Sequence, residues 1–333
     1  MGILTTVVGS YPVPDWLAAL PSEQALIDAM AVILKTQENA GIDVIADGEL
    51  GRFDVNHPET NGMIEYFVKS LENVRGEVTR ADVDAFRKDA GMSFRVRPSA
   101  VVDGPIGEGA LDLPGDFAIP RALTKHQLKF TLTGPHMLCK TLLDNHYGSR
   151  AELSNALADV LASQVALIDA DVVQVDEANL PGHSEEWEWA LEGMNRILDQ
   201  VQTIPAVHLC FGNYGGQSIQ QGSWNNLIDY LSGLHADHVL LELAHRDNWE
   251  LPALKEIDAK VRFGLGVVDI KTNIVESAED IAKKIDETAK VIGQERIAYI
   301  NPDCGFWMLK RSVADRKIEA LVAGRDLYEK AGG

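Results

Sequence analysis

Eight short apolar runs, separated mostly by longer amphipathic stretches, constrain this chain more than any other feature. They are "ILTTVVGSY" from Ile3, "IDVIADGE" from Ile42, "KFTLTGP" from Lys129, "DVVQVDE" from Asp171, "PAVHLCFG" from Pro205, "HVLLELA" from His238, "VRFGLGVVD" from Val261 and "RIAYINPDCG" from Arg296. Near-continuous apolar character is what a parallel strand needs when both faces of its sheet are covered. Helical spacing fills 22–40, 150–168, 185–201, 224–234, 278–292 and 312–330; Leu153, Leu157, Val160, Leu161 and Val165 form one such buried stripe. Eight strands with intervening helices predict a (β/α)8 TIM barrel, an α/β fold. A chain of 333 residues, 46% hydrophobic, suffices for one such barrel as a single domain over 1–333. The stretch 51–128 is too long for an ordinary connection. It reads as an insertion between strands 2 and 3, with a charged helix near 81–88 and a hairpin in "SFRVRPSAVVDGPIGEG", lying over the mouth.

The charge of −20 disfavours nucleic acid and anionic membranes as partners, and no basic stripe reverses it. No run reaches the length of a membrane span, and the N-terminus lacks the parts of a signal peptide. Three cysteines are too few for a disulfide framework. Together these point to a reducing, cytoplasmic setting.

Each predicted strand ends in small or polar residues: Gly9-Ser10, Asp47-Gly48-Glu49, Gly134-Pro135, Asp176-Glu177, His208 with Cys210, Glu242, Asp269 and Asp303-Cys304. Barrel enzymes build their sites at this end. His208 and Cys210 are two apart and share a strand face. Cys304 offers a second sulfur from another strand, and Glu242 is a lone carboxylate in an apolar run. Two thiolates, an imidazole and a carboxylate favour Zn2+ over Mg2+ or Ca2+. So sulfur-rich a set blunts Lewis acidity toward water, yet still lowers the pKa of an incoming thiol. The residues therefore predict a zinc enzyme that activates a thiol for alkyl transfer. Cys139 reads as a packing residue near a helix start; His57, His136 and His183 read as mouth residues without an assigned role.

The anchors "VVGSYP", "DGE", "LTGP", "VQVDE", "HLC", "LELA", "GLGVVDI" and "NPDCG", in this order, resemble the catalytic C-terminal domain of cobalamin-independent methionine synthase and its short single-domain relatives. The resemblance runs from about residue 3 to 327. It implies a (β/α)8 barrel, zinc held by His208, Cys210, Glu242 and Cys304, and methyl transfer to homocysteine. It also implies that Gly9 and Ser10 hold the homocysteine carboxylate, and that Glu49 and Asp176 hold its ammonium group. Two positions depart from the folate-using pattern. "DIKTNI" puts Lys271 where those enzymes have a histidine that serves the methyl donor, and "GPHMLCKT" puts Thr141 where they have a stacking tryptophan. Asp176 and Lys271 are carried as candidate catalytic residues. The departures, with the short length, favour methylcobalamin or a corrinoid protein over methyltetrahydrofolate as donor. The alternative is another thiol, such as coenzyme M, alkylated by an epoxide or sulfonium compound. The oligomeric state stays open.

Overall fold

A computed structural model of the protein describes residues 2–55, 58, 62–88, 95–214, 217, 218, 220–244, 246 and 248–332. Eight strands form one sheet: β1 (Leu4–Thr5), β2 (Val44–Ala46), β3 (Gln127–Thr133), β4 (Val172–Glu177), β5 (Ile204–Leu209), β6 (His238–Glu242), β7 (Arg262–Val268) and β8 (Ile297–Pro302). Every pairing from β2 round to β8 and on to β1 is parallel, and the Thr6–Val44 bridge closes the ring. This is the predicted TIM barrel.

The helices form where the spacing predicts them, and their ends have local causes. Ser22 accepts a hydrogen bond from the Ala25 amide to start Glu23–Ala40, and Gly41, at φ 86°, ends it. Ser149 and Ser277 cap Arg150–Val165 and Ala278–Ile292 in the same way. Trp187–Leu198 and Arg311–Lys330 supply two further helices of the outer ring. The fourth predicted segment splits into a 3-10 turn, Trp224–Leu227, and a short helix, Ile228–Gly233. Among the described residues no helix is long and apolar enough to cross a membrane.

The stretch between β2 and β3 differs in part from the sequence reading. The charged helix is present as Arg80–Phe86. Among the described residues the expected hairpin is not: Val101–Gly107 pairs antiparallel with Glu72–Arg75 and parallel with Leu143–Asp144, so its partners are remote strands. Ser93 and Phe94, at the start of that motif, lie outside the described residues, as does His57. A further helix, Leu113–Leu123, precedes β3.

Alternation along the strands separates two zones inside the barrel. Val172, Ala206 and Leu240 share a strand face with Asp176, His208 and Glu242 but lie nearer the strand starts. With Val8, Val44, Ala298 and Tyr299 they make a small buried apolar cluster. The chemistry-bearing residues sit above it, towards the C-terminal ends.

Candidate active site

His208 is the next-to-last residue of β5, and Cys210 follows the strand on the same face. Cys304 stands two residues beyond β8. The two sulfurs are 3.9 Å apart, and His208, Cys210 and Cys304 each offer a ligand atom within 4.8 Å of the others. No disulfide joins the cysteines; a disulfide would need about 2.05 Å. Two sulfurs at about 2.3 Å from one tetrahedral zinc would stand roughly 3.8 Å apart. His208 is buried, and neither ring nitrogen makes a hydrogen bond of normal geometry. Burial pushes its pKa down, but Cys304 and Asp176 outweigh that and hold it above the ordinary value. The neighbouring Cys304 sulfur, with burial, holds the Cys210 thiol well above its usual range. Two sulfurs crowded against one another beside a buried imidazole are what a cation would relieve, so these residues fit a zinc ion.

Glu242 ends β6 and is buried beside Cys210. Its Oε1 accepts from Lys271 Nζ at 2.6 Å, and its Oε2 accepts from the Phe211 amide at 3.1 Å. Lys271 thus pairs with the carboxylate expected to bind metal, and its pKa is raised because Glu242 outweighs the effect of burial. Arg246 and Arg262 pair with Glu250 and Asp237, not with Glu242. Asp303 Oδ1 accepts from the amides of Leu243 and Ala244, tying the residue before Cys304 to the chain just after Glu242.

The acids of the expected amino-acid pocket converge on the same place. Glu49 has a left-handed backbone, at φ 57°. Its Oε1 accepts from Thr131 Oγ1 at 2.7 Å, and Arg52 Nη1 lies 3.5 Å away. Its Oε2 is buried with no hydrogen-bond partner. A lone buried carboxylate oxygen is an acceptor prepared for a donor not yet present. A Cβ at Gly9 would lie 2.2 Å from Glu49 Oε1, so only glycine lets the two approach. Ser10 is buried against Gly305, where a Cβ would meet Ser10 Oγ at 1.9 Å. Burial, with Glu49 and Cys304 adding to it and His208 and Gln174 opposing, pushes Asp176 up to about 7.

Sequence reasoning missed four residues here. Arg52 is buried beneath Tyr66, Phe67 and Phe130 and donates to the Thr131 carbonyl. Thr131 holds Glu49. Lys129 and Gln174 are buried polar residues beside Asp176. Polar residues at alternate positions of "KFT" and "VVQVD" were the available signal. Glu177, by contrast, is structural: it accepts from the amides of Met137, Asn179 and Leu180. His136 is not a mouth residue but is buried between Glu177 and Glu186. His183 lies with Glu185 and Glu186, but Lys140 and His136 already hold Glu186. Cys139 is buried in Pro135–Thr141, as expected for packing. Thr141, fully buried and hydrogen-bonded to Ser99, offers no face to a flat ligand.

Aromatic surface gathers elsewhere. A cleft of about 780 Å³ is lined by Trp16, Phe53, Trp307, Met308, Lys310 and Arg311, among others. It lies among the loops that follow β1, β2 and β8. Phe306 donates its amide to the Ser10 carbonyl at 2.8 Å, joining cleft and site.

Residues 3–325 match the family described as cobalamin-independent synthase, catalytic domain. A methionine synthase of Thermococcus kodakarensis is 30% identical, covering 98% of this chain and 93% of its own. One from Pyrococcus furiosus is 29% identical, with 98% and 94% covered. A B12-independent methionine synthase from a Shewanella species, solved in complex with selenomethionine, superposes with a TM-score of 0.83 at 25% identity, covering 99% of each chain. A Listeria monocytogenes protein provisionally described as a vitamin-B12-independent methionine synthase shares the fold, with a TM-score of 0.71 at 17% identity and full coverage of both chains.

Proposed function

The chain belongs to the cobalamin-independent synthase family through its catalytic domain, and from that premise we propose that it methylates the sulfur of homocysteine to give methionine. It is a methyltransferase; the acceptor, the metal and the roles of single residues are the proposal. The observation that carries it is the meeting of His208, Cys210 and Cys304 with the unpaired Glu49 oxygen and Asp176 in one cluster at the strand ends. A thiol group and an amino-acid head would be bound side by side. The Shewanella protein's complex with selenomethionine supports a product of this shape.

His208, Cys210 and Cys304 would hold zinc, with Glu242 as the fourth ligand. Bound there, the ion would lower the pKa of an incoming thiol. The chain's own residues do the rest. Glu49 and Asp176 take the ammonium group in charge-assisted hydrogen bonds, strong in a dry pocket. Gly9 and Ser10 take the carboxylate. This fixes the sulfur for in-line attack on the methyl carbon: the S–C bond forms as the donor's bond to that carbon breaks, and the donor takes up a proton. Lys271, paired with Glu242, would tune that ligand and would not act as a free acid.

The corrinoid donor expected from the sequence runs against a family described as cobalamin-independent, and the proposal does not retain it. The aromatic cleft falls within the roughly 300–1,000 Å³ of small-molecule sites. It supports a free, flat donor, with methyltetrahydrofolate the first to test. The stretch 51–128 is read as an insertion into a single barrel domain that walls one side of the mouth; Thr133, at the end of β3, donates to the Met63 carbonyl. The deciding assay gives the zinc-loaded protein homocysteine with methyltetrahydrofolate, methylcobalamin or neither. Methionine formed with methyltetrahydrofolate is the expected result. Alkylation of coenzyme M with homocysteine left untouched would replace this reading by the other-thiol one.

A further inference from the structure

We propose that Lys129 is a positioning residue for the acceptor. Through Gln174 it locks the carboxylate of Asp176 and the end of β1 into one hydrogen-bonded frame. Both side chains are buried within the barrel, below the pocket. Lys129 Nζ donates to the Val7 carbonyl and to Gln174 Oε1, each at 2.7 Å. In its charged form the lysine head offers only donors, so it turns the oxygen of the Gln174 amide towards itself. The amide nitrogen is then forced to the other side. There it donates to the Val8 carbonyl at 2.8 Å and to Asp176 Oδ1 at 2.7 Å.

Without Lys129 the amide oxygen would lose the donor that fixes it, and only the Val8 carbonyl and Asp176 would hold the nitrogen in its place. The same frame grips Val7 and Val8, the two residues before Gly9 and Ser10. One lysine therefore holds both poles of the amino-acid pocket: the carboxylate that faces the ammonium group, and the strand end that faces the acid group. A buried lysine is costly unless something compensates; an apolar residue would fill this place more cheaply in a barrel with no pocket to hold.

The inference rests on the reading of Asp176 as the partner of the ammonium group, so Asp176→Asn is the control. The variants are Lys129→Met and Gln174→Glu, in zinc-loaded, full-length protein. Gln174→Glu keeps a partner for Lys129, and so keeps the fold, but removes the donor to Asp176. In all three variants the KM for homocysteine should rise about tenfold or more; in Lys129→Met and Gln174→Glu kcat should stay within about threefold and the donor KM should not change. The Kd of methionine, measured by calorimetry without donor, should rise in parallel. If Asp176→Asn weakens methionine while Lys129→Met and Gln174→Glu bind it as the wild type does, the frame is structural only and the inference falls. If Gln174→Glu alone weakens it, the role of Lys129 falls. If Asp176→Asn itself binds normally, the assignment of Asp176 falls first and the inference with it.

Discussion

Asp176 is held in a state that costs the fold something. A carboxyl raised to about 7 keeps its proton in the folded protein after the unfolded chain has lost it, near pH ~4. Between those two values the folded chain binds the extra proton, so stability falls as pH rises and levels off above about 7. Asp176→Asn removes the titration, and its side-chain oxygen can still accept from Gln174. The metal-free variant should therefore melt roughly 5 °C above wild type at pH ~8, with the gap closing at pH ~4. Thermal unfolding at both pH values checks this, and equal midpoints at the higher pH would contradict it. Such a cost fits the binding role proposed for Asp176. The residue was legible in the sequence, as were His208, Cys210, Glu242 and Cys304, because scarce or charged types stood at the ends of apolar runs. Arg52 and Lys129 were harder: Arg52 donates to a carbonyl of β3 under aromatic rings remote in sequence, and no spacing rule joins Lys129 to Gln174.

Between elements, the decisive contact crosses a strand. Asp303, just past β8, reaches over β7 to the amides that follow Glu242 on β6. Gly266 of β7 lets it pass: a Cβ there would lie 2.5 Å from both Asp303 Oδ1 and the Leu241 carbonyl. Gly264 does the same for Asn301, whose Oδ1 would be 2.6 Å from an added Cβ. The motif "GLG" is thus a gap through which the end of β8 sets the end of β6, and with it Glu242 relative to Cys304. Gly266→Ala should cost about 1–3 kcal/mol by overpacking and weaken zinc about tenfold by shifting Glu242; competition with a chromogenic chelator reads the affinity. Unchanged affinity in a destabilised variant would deny Glu242 a ligand role. At this scale the barrel strands and the capped helices could be read in advance, because period and caps agree. Leu113–Leu123 could not: Pro114, Gly115 and Pro120 look like breakers. Pro114 in fact sits in the first turn, where its missing amide costs nothing. The supposed hairpin failed because its partner strands are remote in sequence.

Ring closure makes the proposed metal centre. In sheet order β5 and β8 are three steps apart, about 14 Å in a flat sheet, yet their sulfurs stand 3.9 Å from each other. Only a closed, tilted barrel whose residues turn inward brings them together. A shared ion would then clasp two strands distant in the ring and bind the unfolded chain far less. At about a thousandfold excess over its Kd, such a ligand adds about 4 kcal/mol. For a chain of this size each kcal/mol moves the midpoint by roughly 2 °C. Stripping the metal should therefore lower Tm by about 8 °C, and zinc should restore it. Calorimetry on stripped and reloaded protein measures the shift, and Cys304→Ser should abolish most of it, since it removes the ligand from the far side of the clasp. If Cys304→Ser keeps the full response to zinc, the ion binds elsewhere, and the two sulfurs must owe their closeness to packing alone.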